Sequence, residues 1–226
     1  MLRQVKTRIK RFLDIHIGKN DLETVKLRKD VDIVSFDIFD TLICRRVRKP
    51  TDVFELIEKK RNIDGFAQNR IEAERFARKK RSSGEVTIDE IYSVYAEKYG
   101  CNKEELIKIE IGFEKKLCFP NERVVSFFEK CKESYIVILV SDMYIPSERM
   151  AEILEKCGIT GYERLYVSCD EGCTKRSGKL FRKVQNDLRI QGSKIVHIGD
   201  DILSDCIKAK KCGLQTLKIR KSFKKM

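Results

Sequence analysis

At 226 residues the chain can bury a core without disulfide or metal staples, and it suits one domain carrying an insertion. Its 42% apolar share fits a globular protein, and no apolar run reaches the ~20 residues of a membrane span. The N-terminus lacks the apolar core of a secretory signal, so the chain reads as cytoplasmic. Ten of the thirteen excess positive charges sit in residues 1–30 and 218–226, leaving the middle only mildly basic, and no recognition motif accompanies them. Nucleic acid is therefore not the expected partner.

Residues 1–18, MLRQVKTRIKRFLDIHIG, repeat apolar side chains at helical spacing (Leu2, Val5, Ile9, Phe12, Leu13) with arginines and lysines between them. This predicts a basic amphipathic helix that covers part of the core, docks on a partner or lies on an anionic membrane surface, peripheral to its inner face. Five short β-branched runs follow along the chain: DIVSF (32–36), YIVILVS (135–141), ERLYVS (163–168), KIVHIG (194–199) and LQTLKI (214–219). They lack clean alternation, as strands buried on both faces do, and helical segments separate the later ones. The pattern predicts an α/β fold with a parallel sheet.

Between the first two runs lie about eighty residues of helical periodicity, far more than a crossover needs. Thr87 with Glu90 forms a capping box at the head of one of these helices. The charged run ARKKRSSGE (77–85) reads as a helix end followed by a mobile loop. The expected organisation is a leader over 1–30, an α/β core made of 31–48 and 133–226, and a helical cap over 49–132. Nine scattered cysteines and only two histidines argue for a reducing compartment and against a zinc site.

Open parallel sheets bind ligands at the carboxyl ends of their strands. Asp37 follows the first strand, Ser141 and Asp142 end the second, Lys175 follows the third, and Asp200, Asp201 and Asp205 follow the fourth. Singly, each is an ordinary cap or loop residue. Together they are a nucleophile, a hydroxyl, a cation and a carboxylate group on one edge, the set that phosphoryl transfer to a carboxylate requires.

These four segments resemble the four motifs of the haloacid dehalogenase-like (HAD) hydrolases. Asp37 with Thr41 matches the first, Ser141 the second, Lys175 in KRSGKLF the third, and Gly199, Asp200 and Asp205 the fourth; Lys179 is the competing lysine, placed inside the following helix. The resemblance implies a Rossmann-like core with an all-helical C1 cap, and Asp37 as the nucleophile. Thr41, Ser141, Asp142 and Lys175 would serve the phosphoryl group. Mg2+ would sit on Asp37, the main-chain carbonyl of Phe39, and Asp200, supported by Asp205 or Asp201. Cap residues of such enzymes contact the leaving group, which makes Arg70, Glu74 and Arg78, stacked at i, i+4 and i+8, substrate-reading candidates beside the reading as an ion-pair ladder.

The family's phosphatases carry an acid/base aspartate two residues after the nucleophile, where this chain has Phe39. Asp40 is expected to point to the other side of the strand from residues 37 and 39. Losing a general acid/base costs ~10²- to 10⁴-fold in rate. The expected function is thus a Mg2+-dependent phosphohydrolase acting on a small phosphorylated metabolite. The alternative is a weak or idle domain with a binding or assembly role. SFDIFDTLI, VSDMYIPSE and HIGDDILSD further resemble a HAD subgroup found alone or fused to glycosyltransferases of surface-polysaccharide synthesis, which implies a sugar-phosphate or nucleotide-linked substrate and a glycosyltransferase as partner.

Overall fold

The computed structural model describes residues 30–220 together with Leu22, Val25, Leu27 and Arg28. The N-terminal amphipathic segment and the tail beyond residue 220 fall outside the described residues. A five-stranded, all-parallel sheet forms the centre: β1 (Ile33–Phe36), β4 (Ile136–Ser141), β5 (Arg164–Val167), β6 (Ile195–Gly199) and β7 (Gln215–Lys218). Their order is β5-β4-β1-β6-β7, so β1 lies in the middle with Phe36 opposite Leu139 on one side and Ile198 on the other. Side-chain alternation divides the apolar core between the two faces. Val34, Phe36, Val137, Leu139, Val196 and Ile198 pack in one cluster, and Ile33, Ile138, Val140 and Ile195 in the other.

Two three-residue strands, β2 (Ile43–Arg45) and β3 (Cys118–Pro120), pair antiparallel and form the foot of the inserted segment. Between them run α1 (Asp52–Arg61), α2 (Phe66–Lys80), α3 (Ile88–Tyr99) and α4 (Lys103–Leu117). The helix boundaries follow from local chemistry. Thr87 accepts from the amide of Glu90 at 3.2 Å while Glu90 accepts from the amide of Thr87 at 2.9 Å, the reciprocal cap expected for α3. Asn62 and Gly100, both at positive φ (53° and 64°), close α1 and α3. In the loop after α2, Arg78 donates to the carbonyl of Gly84 at 2.8 Å.

The next helix, α5 (Glu122–Lys132), lies within the stretch assigned to the cap, yet Phe127 and Phe128 pack edge-on against Phe36 of β1, with centroids 6.3 and 5.6 Å away. It covers the sheet. The rest of the core is α6 (Ser147–Lys156), the short α7 (Ser168–Glu171), α8 (Lys179–Leu188), a π-helical turn over Ile202–Lys208, and α9 (Ala209–Lys211). The amide of Ile88 at the head of α3 donates to the carbonyl of Tyr144 at 2.7 Å, joining cap and core by backbone. None of the nine cysteines forms a disulfide. Among the described residues no helix is long and apolar enough to cross a membrane.

Candidate active site

The carboxyl end of the sheet brings Asp37, Thr41, Ser141, Lys175, Asp200 and Asp205 to one buried place. Asp37 leaves β1 with its amide donating to the carbonyl of Ile198 at 2.9 Å, a ladder contact that fixes its backbone. The Lys175 ammonium lies 2.5 Å from Asp37 Oδ1 and 2.7 Å from Asp205 Oδ1. Thr41 donates to Asp37 Oδ2 at 3.0 Å and lies 3.4 Å from Asp200 Oδ1. Ser141 is 2% exposed and has no side-chain hydrogen-bond partner among the described residues, which leaves its hydroxyl available to a ligand. Lys179 is exposed on the first turn of α8, so Lys175 is the lysine of the site.

Oxygen atoms of Asp37, Asp200 and Asp205 lie within 4.8 Å of one another, all three residues buried. Gathering three carboxylates raises the free energy of their ionised forms unless cations join them. Burial, helped by Asp205 and Asp200 and opposed by Lys175, pushes the Asp37 carboxyl up to about 7. For Asp205 burial is outweighed by Lys175 and His197, and the carboxylate stays well below the usual range. Burial likewise works against the charge of Lys175, but Asp205 and Asp37 outweigh it and raise its pKa. An all-oxygen anionic donor set of this kind fits a hard divalent cation such as Mg2+ and does not suit a soft metal.

Several expected residues take other places. Asp201 is exposed, and its Oδ1 accepts from the amide of Ser204 at 2.7 Å; it caps the turn that follows where metal support was expected. Asp142 uses both carboxylate oxygens on the amides of Lys175 (2.7 Å) and Arg176 (3.3 Å). Its carboxylate therefore shapes the lysine loop, and since a carboxylate repels phosphate, only the main-chain amide of Asp142 is left to serve a phosphoryl group. Arg70 is also corrected. Its side chain is 0% exposed, boxed by Phe54, Tyr92 and Tyr144, and held by Glu110 at 2.8 and 3.1 Å and by Glu74 at 3.0 Å. It cannot reach a substrate. Phe39 lies with the Arg45 guanidinium 3.7 Å from its ring centroid, and Arg45 pairs with the buried Glu114 at 2.8 Å. Asp40 turns in the left-handed region at φ 59°, its amide on the carbonyl of Ile43.

Two contributors escaped the sequence reading. His197, fully buried, stands 3.2 Å from Asp205 Oδ1 and 2.8 Å from Ser35 Oγ, its register partner on β1. Burial lowers its pKa, so it holds Asp205 as a neutral ring. Its strand position in KIVHIG reads simply as interior; only the adjacent GDD hinted at more. Arg45, in a strand too short to show a period, gave no signal.

Beside these groups a cleft of about 610 Å³ opens between the cap and the core loops. Glu74, Arg78 and Glu85 form its cap wall, and Asp142, Tyr144, Thr174, Arg176 and Ser177 its core wall.

Sequence comparison decides the family. The profile of the haloacid dehalogenase-like hydrolases matches residues 31–213. The chain belongs to that family. In fold it is similar to a HAD-family enzyme of Bacteroides thetaiotaomicron at 16% identity and TM-score 0.62, covering 85% of this chain and 95% of that one. A complex of that enzyme with magnesium and inorganic phosphate aligns at 18% identity and TM-score 0.57, covering 86% and 96%. A 2-haloacid dehalogenase of Pseudomonas syringae pv. tomato aligns at 16% identity and TM-score 0.61, covering 82% and 85%. A phospholysine phosphohistidine inorganic pyrophosphate phosphatase of Danio rerio is 36% identical over 59 residues, 25% of this chain. The match spans 22% of that relative's length.

Proposed function

We propose that this HAD hydrolase is a Mg2+-dependent phosphohydrolase that acts on a small phosphorylated metabolite through an aspartyl-phosphate at Asp37. The observation that carries the reading is the Asp37 carboxylate held between Lys175 and Thr41 within a buried group of three aspartates. The crystallised magnesium and phosphate of the Bacteroides relative, and the phosphatase name of the Danio rerio relative, support phosphoryl chemistry over dehalogenation.

An oxygen of Asp37 attacks phosphorus, and the electron pair of the breaking bond leaves with the substrate's oxygen. Lys175 holds the phosphoryl oxygens electrostatically, and Ser141 donates its hydroxyl to them. Water then adds to the phosphorus of the aspartyl-phosphate and restores the Asp37 carboxylate. Mg2+ would be held by Asp37, Asp200 and Asp205 with the main-chain carbonyl of Phe39, and supplies neutralisation between the anionic nucleophile and the anionic phosphoryl group. His197 and the amide of Asp201 keep Asp205 aimed.

Asp37→Asn keeps the shape of the side chain but removes the nucleophile. It is expected to lose all turnover while its circular dichroism and unfolding midpoint stay near those of the parent. Turnover at the parental rate in this variant would sink the mechanism. A second reading, a domain that binds a phosphorylated ligand or an assembly partner without turnover, draws on Phe39 standing under Arg45. The resemblance of three motifs supports a sugar-phosphate or nucleotide-linked substrate and a glycosyltransferase partner, and the basic amphipathic pattern of residues 1–18 supports a membrane-surface partner.

A further inference from the structure

An exposed arginine on a loop is ordinary, but Arg176 has an unusual setting. It follows Lys175, whose ammonium touches Asp37, and its side chain lines the cleft between cap and core. Every carboxylate on that cleft has a partner. Glu74 pairs with Arg70 and Arg78, Glu85 with Arg78, and Asp142 with two backbone amides. The Arg176 guanidinium has no hydrogen-bond or ion-pair partner among the described residues, and its backbone is fixed on both sides. Its amide is held by Asp142, and the turn behind it is closed by Ser177 N to Thr174 Oγ1 at 3.0 Å and by Gly178 N to Lys175 O at 2.8 Å. The cleft thus presents one guanidinium that no carboxylate holds, on a rigid mount one residue along the chain from the lysine that touches Asp37.

A second feature bears on the same group of the substrate. Two residues past Asp37 stands Phe39, covered by Arg45 at 3.7 Å. Neither a phenyl ring nor a guanidinium gives up a proton at neutral pH. An alkoxide leaving group would go unprotonated from that side, whereas a group that is already a stable anion needs no proton.

We propose that Arg176 is a specificity residue for the leaving group, and that the substrates are phosphoric anhydrides, in which the phosphoryl group is carried by an anionic oxyacid. Resting on the hydrolase reading above, this names its substrate class. An Asp37 oxygen bonds to phosphorus as the bridging P–O bond breaks. The electron pair stays on the departing phosphate or carboxylate, whose charge Arg176 meets with its planar fork of donors. Water then displaces Asp37 from phosphorus, and both water hydrogens end on orthophosphate as H2PO4−.

The test uses the full chain with Mg2+ and measures kcat and KM for inorganic pyrophosphate, acetyl phosphate, p-nitrophenyl phosphate and glycerol phosphate. Calorimetric binding of imidodiphosphate, the non-hydrolysable P–N–P analogue, and of orthophosphate runs alongside. The two anhydrides should exceed glycerol phosphate in kcat/KM by ~10²-fold or more. Whether pyrophosphate or acetyl phosphate leads identifies the oxyacid as phosphate or carboxylate. In Arg176→Met the preference for the leading anhydride over p-nitrophenyl phosphate should fall tenfold or more, with Arg176→Lys between, and imidodiphosphate affinity should fall by a similar factor. Glycerol phosphate turned over as fast as the anhydrides, or Arg176→Met shifting every substrate equally, overturns the proposal while leaving a hydrolase. Absence of all turnover with Arg176-dependent imidodiphosphate binding overturns the hydrolase reading and keeps the anion site. Imidodiphosphate binding no tighter than orthophosphate overturns the anion site itself.

Discussion

Gly199, at the end of β6, shows how tightly single residues are specified around the catalytic edge. A Cβ there would stand 2.3 Å from Asp205 Oδ2 and 2.4 Å from its Cγ. That carboxylate is not the free end of a flexible side chain, because Lys175, His197 and the amide of Asp201 all hold it. Adding a methyl group must therefore displace Asp205 or the backbone, and overpacking of this kind costs about 1–3 kcal/mol. Gly199→Ala should fold with a modestly lowered unfolding midpoint and lose at least tenfold in Mg2+ affinity. A calorimetric titration matching the parent would show that Asp205 is not part of the metal site. Asp37, Ser141, Lys175 and Asp200 were legible as residues because the ends of apolar strands are easy to see. That Asp200 is buried beside Asp37 while Asp201 caps the turn that follows was not, since the two are adjacent and chemically identical and only backbone direction separates them.

At the level of elements, the helical character of the inserted segment was legible, and for one helix its start as well. The Thr87 and Glu90 capping box opens α3, Ile88–Tyr99, and Gly100 closes it. The β2–β3 pair was not legible, since three-residue strands carry no period and the pairing of Ile43 with Pro120 is made only through the fold. The role of the Arg70, Glu74, Arg78 row was legible as spacing but not as burial, which depends on Glu110 and Tyr92 arriving from α4 and α3. The row is an ion-pair ladder with a dry end, where burial opposes the charge of Arg70 and Glu110 outweighs it. Arg70→Met would leave Glu110 buried with only the Tyr92 hydroxyl, at 2.6 Å, as a partner. Breaking one side of a buried pair costs about 3–5 kcal/mol. Urea unfolding should show a loss of that order, and Arg70→Met with Glu110→Gln should recover a large part of it. A loss under about 1 kcal/mol would mean that the cap does not rest on this pair.

For the whole molecule, the sheet brings carboxylates from β1 and β6 together at the price of mutual repulsion, and that ties folding to pH and, in the proposed Mg2+ site, to metal. The α/β order of elements was readable from the apolar runs, but this coupling was not, because it arises only when β1 lies between β4 and β6. In the metal-free protein the Asp37 pKa, about 7, lies above its unfolded value of ~4. Between those values the folded state binds more protons than the unfolded state, so the contribution of Asp37 to stability declines as pH rises from ~4 to 7. Asp205 has the opposite sign, with its lowered pKa. Its contribution is present above ~4 and lost as pH falls below that. Mg2+ must displace the proton on Asp37, so apparent affinity should tighten by up to about tenfold per pH unit from pH 5.5 and level off above 7. Added Mg2+ should correspondingly raise the unfolding midpoint more at pH 8 than at pH 5.5. Isotherms and melts across that range decide the matter: a flat affinity profile would mean that Asp37 is ionised before the metal arrives and that the three carboxylates are neutralised by Lys175 alone.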